Sequence, residues 1–125
     1  MLKALLMAGA LLLSGPASAQ HAHDNQKGPN GGPMEDVAGV HAELIVSGQV
    51  VTVNVFDEAG KPIDAAGYTG SAMIVSGSDR KTFSLAPSGN ALTGQAAASI
   101  AKGAAVTVVV KTAAGKSGQA KFTAP

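Results

Sequence analysis

At 125 residues, with 46% hydrophobic side chains, 3% aromatics and no cysteine, the chain has the size of one domain. Its core must be aliphatic, and its stability cannot draw on disulfides. Nine Lys and Arg stand against eight Asp and Glu, and without Lys3 the two signs balance; a neutral chain with so few rings lacks the basic footprint and the stacking platform of a nucleic-acid binder, so that class is set aside.

Lys3, the ten-residue apolar run from Ala4 to Leu13, the Gly15-Pro16 break and Ala17-Ser18-Ala19 have the form of a secretory signal peptide, residues 1–19, cut after Ala19. The run is shorter than the roughly 20 residues a bilayer needs, and no later stretch reaches that length. No Cys follows the cut to carry a lipid. The mature chain, Gln20 to Pro125, is therefore expected to be exported and to have no membrane anchor.

Residues 20–35 read as a polar, flexible arm carrying His21, His23 and Asp24. Within it, Gly28-Pro29-Asn30-Gly31-Gly32-Pro33 sets two prolines around a turn that tolerates positive φ, so this segment positions the chain rather than reacts. A phosphate-cradling loop would need a preceding strand, a following helix and a Lys-Ser/Thr pair, and none is present. Met34 follows as a hydrophobic plug for docking the arm, or as a soft ligand if the ion is copper(I).

From residue 36 to 125 the pattern is β. Val40, Ala42, Leu44 and Val46 alternate toward a core, leaving His41, Glu43 and Ile45 on the outer face; Val51, Val53 and Val55 continue the inner face of a return strand, with Thr52, Asn54 and Phe56 outward. The hairpin loop is either Gly48-Gln49 or Ser47-Gly48, and both registers keep His41 and Glu43 on one face. Residues 57–62 form a turn, a strand runs near Ser71 to Ser76, and a tight turn leads to Phe83 and Leu85. Ala91 to Gln95 is a further strand candidate, and the Ala-rich stretch from Ala96 to Ala101 fits either a helical turn or a strand. Val106, Val108 and Val110 alternate again, and Ala120 and Phe122 close the core. About seven short strands punctuated by 16 glycines and six prolines predict an all-β domain, a small immunoglobulin-like β-sandwich in architecture.

All three histidines lie between residues 21 and 41. Imidazole is the commonest metal-binding side chain at neutral pH, and His21-Ala22-His23 places two of them together beside Asp24. With Gln20 at the start, its free amine, the His21 amide and the His21 imidazole form a planar chelate suited to copper(II); cyclised Gln20 leaves imidazoles alone. His41 and Glu43, at i and i+2 on an exposed strand face, lie roughly 7 Å apart and would close such a site from the scaffold. The same residues also fit an ordinary solvated tail and a cross-strand polar pair. An enzyme is not expected: there is no Cys nucleophile, and a Ser-His-Asp set would draw its base from an arm or an open strand, neither dry nor preorganised.

The order of the His-bearing start, Gly28 to Gly32, Gly39-Val-His-Ala-Glu-Leu44, Val53-Asn-Val-Phe-Asp57, Gly60-Lys-Pro62, Leu85 to Gly94, Val106 to Val110 and Gly118 to Phe122 resembles a family of small periplasmic proteins encoded beside heavy-metal efflux systems. It is also similar to segments near the N-termini of some efflux adaptor proteins. The resemblance covers nearly the whole mature chain. It implies a periplasmic β-sandwich that handles copper or zinc, with cobalt or nickel as further candidates. By position, the ligands implied are His21 and His23 on the arm and His41 and Glu43 on the first strand. The function expected is to buffer a divalent transition metal or deliver it to an efflux system. The competing expectation is a metal-free module whose outer face, with Ile45, Thr52, Val109 and Thr123, docks on an efflux adaptor or another envelope protein.

Overall fold

The computed structural model describes residues 26–125; residues 1–19, expected as a signal peptide, and His21, His23 and Asp24 lie outside them. Eight strands follow in chain order: β1 (Met34–Val37), β2 (Val40–Ser47), β3 (Val50–Phe56), β4 (Thr69–Ser76), β5 (Asp79–Ser88), β6 (Ala91–Gln95), β7 (Ala105–Lys111) and β8 (Ser117–Thr123). All pair antiparallel, in the spatial order β1-β2-β3-β6-β5-β4-β7-β8. No helix occurs among the described residues, so the domain is all-β.

The alternation read from the sequence builds the core. Ala42 and Leu44 of β2, Val51, Val53 and Val55 of β3, and Val106, Val108 and Val110 of β7 are all fully buried, joined by Leu85, Leu92, Ala120 and Phe122. The strand count is eight because Met34–Val37, within and just after the expected arm, pairs with β2. Its sequence, Met-Glu-Asp-Val, has no apolar alternation to announce a strand. The Ala96 to Ala101 stretch is neither helix nor strand; it is an irregular segment tied down by Ala96 N–H to the Gln49 carbonyl at 2.8 Å and Ile100 N–H to the Gly48 carbonyl at 3.0 Å.

Three hairpins share one turn chemistry. Gly48-Gln49, Gly77-Ser78 and Gly89-Asn90 are two-residue loops, each preceded by Ser, with the glycines at φ 61°, 64° and 63°. Glycine at the first central position is the signature of a type II′ turn, whose twist matches that of the strands it joins. The first of them selects one of the two registers left open by the sequence: His41 lies opposite Phe56, and Glu43 opposite Asn54.

Two features curl the sheet until its edges meet. β5 pairs with β4 from Asp79 through Leu85 and with β6 from Ala86 through Ser88, so one long strand carries the chain from one ladder into the other. At the ends of the order, the β1–β2 turn sits on β8: a Cβ on Gly118 would lie 2.7 Å from the Ala38 backbone nitrogen. That turn is tight, with Ala38 and Gly39 both at positive φ, 52° and 87°. Ala38 is the single non-glycine residue in this conformation among the described residues.

Candidate functional site

The turn at Gly28–Gly32 closes on itself through Gly28 N–H to the Gly32 carbonyl at 2.7 Å and Gly31 N–H to the Gly28 carbonyl at 2.9 Å. Pro29 occupies the position where a fixed φ favours a type I turn, and Gly31, at φ 86°, supplies the left-handed residue that follows it. Flanking bonds sew the turn to the sheet: Leu44 N–H donates to the Pro33 carbonyl at 3.0 Å, and Met34 N–H to the Gln26 carbonyl at 3.2 Å. Residues 26–35 are thus built into the scaffold, which corrects the expectation that they belong to a flexible arm.

Glu43 is the reason the turn docks. Its carboxylate accepts Asn30 N–H at 2.7 Å and Gly32 N–H at 2.9 Å on Oε2, and the Asn30 side-chain amide at 2.9 Å on Oε1. The side chain is fully buried. Three N–H donors replace the water lost on burial, which is what a carboxylate in that position requires. Space is closed as well as charge: a Cβ on Gly28 would lie 2.5 Å from Glu43 Cδ, and one on Gly32 only 2.1 Å from the Leu44 carbonyl oxygen. Glu43 was expected on a solvated face as a metal ligand; it is instead a buried anchor for the 28–32 turn, because that turn covers the outer face of β2. Phe56, also expected outward, is buried for a related reason, with the chain folding back so that Pro62 bridges to it.

His41 keeps a partly exposed place. Its Nδ1 meets Asp36 Oδ1 at 2.5 Å, with the two side chains 30% and 55% exposed. The pair exists because the two-residue Ala38-Gly39 turn sets Asp36 directly across from His41 in the β1–β2 ladder. A carboxylate on Nδ1 fixes ring orientation and tautomer, and it makes Nε2 the nitrogen that would carry a lone pair to an ion. Asp36 was not singled out by sequence reasoning. The available signal was local: Val37-Ala38-Gly39-Val40 is a tight-turn pattern, and its register pairs residues 36 and 41.

Among the described residues, no group of three or more His, Cys, Asp or Glu side chains is placed to hold a metal ion. The structure therefore brings together His41 and Asp36, separates Glu43 from them by giving it to the turn, and leaves His21 and His23 outside the described residues. A shallow groove lies on the same outer face, bounded by Pro29, Ile45, Thr52, Asn54, Phe56 and Pro62. Ile45 and Thr52 are cross-strand partners there, whereas Val109 on β7 is 40% exposed and pairs with Ser71 and Gln119. The four residues of the expected docking face are therefore divided between the β2–β3 and β7–β8 parts of the sheet.

Comparison with known proteins returns no matching family model, no matching curated protein and no matching solved structure.

Proposed function

We propose that the protein is a periplasmic metal-binding protein that buffers a divalent transition metal ion, copper or zinc first, and passes it to an efflux system. The ion is cargo, bound by imidazoles and released again. His41 supplies the fixed ligand through Nε2, Asp36 orients it, and His21 and His23 supply the others; Glu43 has no part in the ligand set. The observation that supports this reading is the Asp36–His41 pair, since ligating histidines characteristically donate their second ring N–H to a carboxylate. The scaffold belongs to this reading as an immunoglobulin-like sandwich whose two layers are joined through β5.

The test is calorimetric titration of the chain from Gln20 to Pro125 with copper(II), zinc(II), nickel(II) and cobalt(II). His41→Ala and the double change His21→Ala/His23→Ala should each weaken binding. Asp36→Asn should weaken it by roughly 10- to 100-fold with the fold intact by circular dichroism, the range for a carboxylate that orients a ligand. Absence of binding by every ion would remove the metal reading. The alternative, a metal-free docking module of an envelope efflux complex, rests on the Ile45–Thr52 groove and predicts activity that survives loss of all three histidines.

A further inference from the structure

Asn30 precedes Gly31, and this pair carries a latent reaction of its own. A glycine after asparagine leaves the backbone nitrogen unhindered, and no atom lies within 4 Å of where a Gly31 Cβ would stand. Asn30 is exposed, so water reaches it. In the docked turn the reacting groups are nevertheless held apart. Gly31 N–H donates to the Gly28 carbonyl, Asn30 N–H donates to Glu43 Oε2, and the Asn30 amide nitrogen donates to Glu43 Oε1. The nucleophile is committed to one partner and the leaving group to another.

We propose that Asn30 is a site of spontaneous deamidation restrained by Glu43, and that its conversion undocks the turn irreversibly. The Gly31 nitrogen attacks the Asn30 side-chain carbon Cγ, forming a five-membered imide. The Cγ–Nδ2 bond breaks, and ammonia leaves with the proton given up by Gly31. Water then opens the imide at either carbonyl, giving aspartate or isoaspartate at position 30. Either product replaces an N–H donor with a carboxylate facing the buried Glu43 carboxylate, so an attraction becomes a like-charge contact. Isoaspartate also lengthens the backbone inside a turn that fits closely over Leu44 and Glu43.

The experiment is peptide mapping by mass spectrometry after incubation in mildly alkaline buffer, comparing the folded chain with the same chain in urea, and with folded Glu43→Gln. Asn54 and Asn90, which no glycine follows, serve as internal controls. In urea Asn30 should convert well ahead of both. In the folded chain its rate should fall by roughly tenfold or more, the factor expected when a charge-assisted hydrogen bond must first break. Glu43→Gln should restore most of the unfolded rate, and the converted protein, separated by its added negative charge, should be cut faster by protease within residues 26–35. Equal Asn30 rates in the folded and unfolded wild-type chain would overturn the restraint whether or not the variant folds. An unchanged rate in folded Glu43→Gln would remove Glu43 from it, and unchanged proteolysis of the converted protein would overturn the undocking.

Discussion

Two turns of this molecule have the same backbone and obtain their stability in opposite ways. In Asp57–Lys61, Asp57 N–H donates to the Lys61 carbonyl and Gly60 N–H to the Asp57 carbonyl, as Gly28 N–H does to the Gly32 carbonyl and Gly31 N–H to the Gly28 carbonyl in the 28–32 turn. Asp57 Oδ1 then accepts Ala59 N–H and Lys61 N–H, both at 2.9 Å. In the 28–32 turn the equivalent donors are Asn30 N–H and Gly32 N–H, but the first residue is Gly28 and has no side chain. Glu43 Oε2 accepts both from another strand. The turn at Thr112–Lys116 repeats the local solution with a hydroxyl, Lys116 N–H donating to Thr112 Oγ1 at 3.2 Å. A turn capped by its own first residue forms without help; one capped from β2 forms only when the sheet is in place, and it then reports on the sheet.

The largest effect should come from removing the remote cap. Glu43→Ala leaves the buried Gly32 donor without a partner and removes the charged acceptor from both Asn30 donors, and should cost about 3 kcal/mol of stability in urea denaturation. The same change should raise hydrogen exchange at the Asn30 and Gly32 backbone amides. Asp57→Ala, in the self-capped and more exposed turn, should cost about 1 kcal/mol because water takes over the freed donors. A near-equal cost for the two would mean that burial is not what separates them. The smallest and sharpest effect is a rescue: Gly28→Asp should destabilise the wild type, where its Cβ runs into Glu43, yet stabilise Glu43→Ala by about 1 kcal/mol by restoring a local cap. Purely additive effects in that double-mutant cycle would break the equivalence of the two turns.

Alternation along Val40, Ala42 and Leu44 and along Val51, Val53 and Val55 was enough to find the core and the hairpin between them. It tells which side of a strand a residue leaves from, not what lies over that side. Glu43 and Phe56 both leave from the outer face, and both are buried, one beneath the 28–32 turn and the other beside Pro62. The Gly-Pro-Asn-Gly-Gly sequence predicted a rigid positioning turn, but not its target, Glu43 on the neighbouring strand β2. Of the site, His41 was legible as a residue on a partly open face. Its partner Asp36 was hidden in a four-residue strand too polar to show a period.

The seating of the β1–β2 turn over Gly118 also sets an order of events. The first and last strands of the sheet come together only through contacts that span nearly the whole domain, so loop-closure entropy must be met before that contact contributes. Hairpins such as β2–β3 and β4–β5 can form early from neighbours in sequence, whereas closure waits for β8. On this ground the contact of Ser117–Thr123 with the β1–β2 hairpin is expected among the last to form.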